Sequence, residues 1–111
     1  MKSETTLQNE IRLELGKRKN VRMFRNNVGQ IGAVNFGLCV GSSDLIGFQS
    51  VTITPEMVGQ KVAVFTAFEI KTPKGKPTPA QTKFIEMVRS FGGIGAIVRS
   101  VGDAVNELSR V

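Results

Sequence analysis

The chain has 111 residues, 15 of them Lys or Arg and 9 Asp or Glu, for a formal net charge of +6, and it contains no histidine. That length suits one domain spanning residues 1–111, and a 41% hydrophobic content spread along the chain excludes a disordered polymer. A single cysteine, Cys39, excludes an internal disulfide, and the lack of histidine excludes a Cys/His zinc site and the commonest general base. Any catalysis must rest on carboxylates, lysine, hydroxyls or an oxygen-ligated metal.

A small domain this basic is suited to a polyanion, because neutralising phosphates and releasing their counterions drives most non-specific nucleic-acid binding. Solubility alone is the plainer use of the same charge. No apolar run approaches the roughly 18 residues that would span a membrane. The start, MKSETTLQNE, is polar and unlike a signal peptide, so a cytoplasmic protein is expected.

Thr5 and Gln8 stand at capping-box spacing and Leu7, Ile11 and Leu15 recur at a helical interval, which predicts a first helix over 6–17. VRMFRNN, residues 21–27, reads as a short strand. The glycine-punctuated stretch NNVGQIGAVNFGLCVGSS predicts a loop or irregular strand. SDLIGFQSVTI, residues 43–53, predicts a strand with a bulge or bend at Gly47. Thr54 and Pro55 then begin a turn or a single helical turn.

The longest strand signal is KVAVFTAFEIK, residues 61–71, which is mostly apolar on both faces and predicts a central strand buried on two sides. A helix over 79–91 follows, with Thr78 as its cap, Pro79 in its first position and a stripe of Phe84, Val88 and Phe91. Gly92 and Gly93 end it, GIGAIVRS predicts a strand, and Ser100 caps a last helix over 101–110 with Val101, Val105 and Leu108 inward. A strand-helix-strand crossover of this kind favours an α/β fold with a mixed central sheet flanked by helices. The glycines of FGGIGA precede a strand and lack phosphate-loop spacing, so no nucleotide cofactor is expected.

Glu69 and Lys71 alternate around Ile70 and therefore leave the same face of a largely apolar strand, where a lone carboxylate would be costly. Two compensations are open: an ion pair with each other, or a metal-binding carboxylate beside a lysine that faces a phosphate. Asp44 opens a strand after a Gly-Ser-Ser turn. It is either a turn residue bonding its own backbone or a second hard oxygen ligand, the type that magnesium or manganese prefers. Gln81 lies on the inward side of its helix, either capping the preceding loop or serving the lysine. Lys74 and Lys76 occupy a Gly/Pro-rich loop directly after these residues, as a solvated loop or as a grip on a DNA backbone.

Four ordered segments, RNNVG (25–29), GSSDLIG (41–47), FEIKTPKGKPTPAQ (68–81) and GIGAIVRSVGDAV (93–105), resemble the VRR-NUC (virus-type replication-repair nuclease) branch of the PD-(D/E)XK nuclease superfamily. The resemblance runs from about Glu10 to Leu108, and Ser43 stands where the superfamily name leads one to expect proline. It implies a PD-(D/E)XK restriction-endonuclease-like core and a Mg2+- or Mn2+-dependent endodeoxyribonuclease. Asp44, Glu69 and the main-chain carbonyl of Ile70 would bind the ion. Glu10 would be an additional acidic position, if it is not simply an exposed helix charge. Lys71 would orient or activate the attacking water, with Gln81 steering it. Arg25, Asn26 and Asn27 would support the site or meet phosphate. The cuts would leave a 5′-phosphate and a 3′-hydroxyl. Stand-alone members of this branch resemble phage or prophage homodimers that cut four-way (Holliday) junctions, which makes branched DNA the expected substrate. The alternatives are a flap- or nick-directed repair endonuclease and a non-catalytic basic DNA-binding module.

Overall fold

A computed structural model of the chain describes residues 2–110. It is mixed α/β, with three helices and three two-stranded sheets among those residues, and it divides into two compact units, Met1–Val51 and Thr52–Val111.

In the first unit the helix α1 spans Glu4–Gly16 and is capped by Ser3, whose Oγ accepts from the Thr6 N–H at 3.1 Å. The helix thus starts about two residues before the sequence pattern suggests, because the Ser3 hydroxyl satisfies an N–H that would otherwise have no intrahelical partner. Strand β1 (Val21–Arg25) is followed by β2 (Gly29–Ile31), β3 (Val34–Phe36) and β4 (Leu45–Gln49). The stretch expected to be a loop therefore contains an antiparallel β2–β3 hairpin, with Gly32 at φ 61° beginning its turn.

β1 and β4 pair antiparallel in an unbroken register from Val21 opposite Gln49 to Arg25 opposite Leu45. No bulge occurs at Gly47, contrary to expectation. The glycine has another cause: a Cβ there would be driven into the Arg22 carbonyl oxygen. Phe24 and Phe48 are diagonal neighbours on this ladder, with ring centroids 6.2 Å apart and planes tilted by 51°, a favourable aromatic arrangement. The ladder continues by one main-chain bond at each end, Ser50 N to Asn20 O at 2.7 Å and Asn26 N to Asp44 O at 2.9 Å.

In the second unit a 3-10 turn, Pro55–Met57, follows Thr54. Strand β5 (Thr66–Ile70), helix α2 (Pro79–Ser90), strand β6 (Ile94–Val98) and helix α3 (Val101–Leu108) come next. β5 and β6 pair parallel, Thr66 opposite Ile94 and Ile70 opposite Val98, with α2 as the crossover. Ile85, Val88, Ile94, Ala96 and Val98 are buried and form this unit's core, Val88 completely. Burying such a side chain is worth about 1.5–3 kcal/mol.

Three expectations change here. The long strand shortens to five residues, because β6 begins only after the Gly92–Gly93 break and its first residue pairs with Thr66. None of those five residues is fully buried, and Ile70 is 77% exposed, so β5 is not a strand covered on two sides. In α2 the expected stripe is buried at Val88, but Phe84 is 39% exposed and Ile85 is buried in its stead, and in α3 the apolar Val101, Val105 and Leu108 share a face but are exposed. Periodicity establishes a common face; it does not supply the surface that covers it.

Candidate active site

Glu69 lies in β5 opposite Ile97 of β6, and the next ladder bond, Lys71 N to Val98 O at 3.1 Å, keeps the chain extended through Lys71. Extended geometry puts residues two apart on one face. The Lys71 ammonium accordingly lies 3.6 Å from the Glu69 carboxylate, with side-chain exposures of 21% and 31%. Half-sheltered from water, the pair relieves the cost of each charge, and such a pair adds only about 0–1 kcal/mol to stability. It is also open enough for a substrate to intervene.

Gln81 completes a capping box with Thr78. The Thr78 N–H donates to Gln81 Oε1 at 2.9 Å, and the Gln81 N–H donates to Thr78 Oγ1 at 3.2 Å. The cap is worth roughly 0.5–2 kcal/mol. Gln81 also lines a cleft of about 280 Å³ together with Ala67, Glu69, Phe84 and Ile85. The capping role of Gln81 is formed, and the same residue shares a cleft with Glu69.

The loop between Lys71 and Thr78 carries Lys74 and Lys76, both exposed. Its turn closes through Gly75 N to Thr72 O at 3.0 Å. A residue with no signal in the sequence holds it: Arg99 donates from Nη1 to the carbonyls of Thr72 at 2.6 Å and Gly75 at 2.7 Å, with Pro73 O at 3.3 Å. The contact joins positions 27 apart in the chain, and nothing near Arg99 announces it.

In the first unit, Asp44 is exposed and directly precedes β4. Its backbone is located by Asn26, whose N–H donates to the Asp44 carbonyl. The Asn26 side chain then secures the turn before it. Nδ2 donates to Ser42 Oγ at 2.7 Å and to Ser43 O at 2.9 Å, while Oδ1 accepts from the Leu38 N–H at 3.0 Å. Arg25 and Asn27 flank it and are exposed. Gly37, at φ 79°, packs where a Cβ would strike the Asn27 carbonyl. Glu10 lies on an exposed part of α1 and is paired with Lys2 at 2.7 Å.

Two clusters are therefore assembled, one within each unit: Glu69, Lys71 and Gln81 beside the Lys74/Lys76 loop, and Asp44 with Asn26 and the Ser42–Ser43 turn. Among the described residues no group of three or more His, Cys, Asp or Glu side chains is placed to hold a metal ion. The carboxylates present, Asp44 in the first unit and Glu69 in the second, are hard oxygen donors, the type that suits a divalent cation such as magnesium and not a thiolate- or imidazole-seeking one.

The model of the VRR-NUC domain matches residues 5–102. The chain belongs to the VRR-NUC family. No curated protein and no solved structure matches it. A VRR-NUC domain implies a nuclease, and with it DNA as the partner. VRR-NUC nucleases are generally metal-dependent. Among the described residues no helix is long and apolar enough to cross a membrane.

Proposed function

We propose that this VRR-NUC chain is a single nuclease domain with a PD-(D/E)XK core, a metal-dependent, structure-specific DNA endonuclease that resolves four-way junctions as a homodimer. The observation that carries the reading is the Glu69–Lys71 pair, sheltered but not sealed, between a cleft shared with Gln81 and a loop bearing two exposed lysines.

Asp44, Glu69 and the Ile70 carbonyl would hold Mg2+ or Mn2+, and Lewis-acid polarisation of the scissile phosphate is the chemistry that such an ion supplies when bound. Lys71, drawn from Glu69 toward the phosphate, offsets charge that builds on the phosphoryl oxygens and orients the attacking water. Gln81, fixed by its capping box, hydrogen-bonds that water or the lysine. Arg25, Asn27, Lys74 and Lys76 meet backbone phosphates, which sets position without reading sequence. Asn26 shapes the Asp44 turn, and Glu10 is the peripheral acid. A two-fold dimer suits a two-fold substrate, and two-fold assemblies are the commonest.

The test is cleavage of a panel of four-way, flap and nicked DNAs with Mg2+, Mn2+ or chelator, comparing wild type with Asp44→Ala and Lys71→Ala, alongside sedimentation at micromolar concentration. Paired symmetric cuts in the four-way substrate are expected from a dimer. Both variants should lose roughly 100-fold or more in rate, the usual cost of removing an electrostatic contact to a reacting centre, with little change in melting temperature. Cuts confined to flaps or nicks would make it a repair endonuclease. Binding without cutting under every metal condition, with Lys71→Ala indistinguishable from wild type, would leave a DNA-binding module and refute catalysis.

A further inference from the structure

We propose that Arg99 is a positioning residue for DNA binding: by gripping the carbonyls of the Thr72–Gly75 turn it sets the shape in which Lys74 and Lys76 face phosphates. The proposal rests on the nuclease reading above and concerns a residue outside its site.

The root of Arg99 is firmly placed. It follows the buried Val98 at the end of β6 and precedes Ser100, the cap of α3. The Arg99 N–H donates to Asp103 Oδ2 at 2.9 Å, and the Asp103 N–H donates to Ser100 Oγ at 3.0 Å. One hydrogen bond thus ties the backbone at 99 to the first turn of a helix, and the other fixes that turn on the neighbouring Ser100, before the side chain sets out across the loop.

Pro73 and Pro77 have no N–H to donate, and among the described residues the turn is closed by one main-chain bond, from Gly75 N to Thr72 O. The carbonyls of Thr72, Pro73 and Gly75 surround Nη1 of Arg99. Nη1 carries two hydrogens, which the two short contacts at 2.6 and 2.7 Å take up, and Pro73 at 3.3 Å shares one of them. A charged donor makes stronger bonds than a neutral one, and the planar guanidinium fixes the direction of the two Nη1 hydrogens. Lysine keeps the charge but is shorter and does not fix its donors in that plane.

Direction of charge decides the role. Arg99 is exposed, as Lys74 and Lys76 are, but its Nη1 donors point into main-chain oxygens of its own chain, while the two lysines lie one inside the gripped turn and one just past it. A cation used in this way acts on phosphate through the loop it shapes.

The proposal predicts coupling. In chelator, with a labelled four-way junction and a plain duplex, Lys74→Ala/Lys76→Ala should weaken binding and lower the slope of log affinity against log salt by up to about 2, near 0.9 for each lysine. Arg99→Lys, with charge unchanged, should weaken binding roughly five- to tenfold in the wild-type background. In the double-alanine background the same change should cost less than about twofold, the non-additivity expected of residues that share one effect. Trypsin adds a readout independent of DNA: below the melting transition, cutting after Lys74 should accelerate about fivefold or more in Arg99→Lys and Arg99→Met, while the Lys76–Pro77 bond resists. An equal binding loss in both backgrounds would make Arg99 a direct phosphate contact and overturn the proposal, as would an unchanged trypsin rate. Wild-type protein that bound neither DNA would sink the nuclease reading instead, and the trypsin comparison alone would then decide whether Arg99 sets the loop.

Discussion

Replacing Asn26 by alanine removes three side-chain hydrogen bonds at once: those to Ser42 Oγ at 2.7 Å, to Ser43 O at 2.9 Å and from Leu38 N at 3.0 Å. At about 0.5–1.5 kcal/mol each, the net loss would reach roughly 4 kcal/mol if every partner were then stranded. The partners are not stranded, because Leu38 and Ser43 are exposed and water can take over their bonds. A loss of about 1–2 kcal/mol follows, which lowers the melting temperature by roughly 4–10 °C for a domain of this size. Asn26→Asp separates the donors from the acceptor. It still accepts from Leu38 N, but it loses both donated bonds and sets a carboxylate oxygen against the Ser43 carbonyl, so at neutral pH it should be no more stable than the alanine variant. Heat denaturation in chelator measures both, and amide exchange over residues 38–44 shows where the loss falls. If Asn26→Ala melts within about 1 °C of wild type and exchange there is unchanged, Asn26 does not hold the Asp44 turn.

Gly47→Ala tests the β1–β4 ladder: its Cβ meets the Arg22 carbonyl oxygen, so a loss of about 1–3 kcal/mol is expected by heat or urea denaturation, and a neutral result would mean that the strands separate easily. The Glu56 carboxyl is held below its ordinary value of 4.5, first by a hydrogen bond from its own backbone and second by the Thr54 side chain. A carboxyl depressed on folding stabilises the folded state above its unfolded pKa and loses that contribution as pH falls through the folded value. Glu56→Gln should therefore flatten the decline in melting temperature below about pH 4.5 and leave its slope above pH 6 unaltered.

The starts of α2 and α3 were the most legible features, because their capping signals act over three or four residues, whereas the Thr5/Gln8 spacing misplaced the cap of α1, which is Ser3. Thr78, Pro79 and Gln81 state the start of α2 in adjacent letters, and the structure forms the full capping box there. Strand limits were less legible. Residues 61–65 have strand composition, yet a strand extends only as far as its partner does, and β6 is cut short by two glycines nearly thirty positions away. The Glu69–Lys71 pairing could be read from alternation alone, whereas Asn26 gathering Ser42, Ser43 and Leu38 could not.

By itself the sequence determined the chemistry available: no imidazole, one thiol, a surplus of cations, and carboxylates at Asp44 and Glu69 that leave an oxygen-ligated ion as the cofactor open to this chain. It also determined the family, through four ordered motifs that the VRR-NUC match covers nearly in full. Tertiary structure decided which atoms serve those residues. Arg99 reaches the lysine loop, and Gln81 shares a cleft with Glu69, only because β6 lies parallel to β5 with α2 across them. Local propensity is written in neighbouring letters; a hydrogen bond across 27 residues exists only once the strands between have paired.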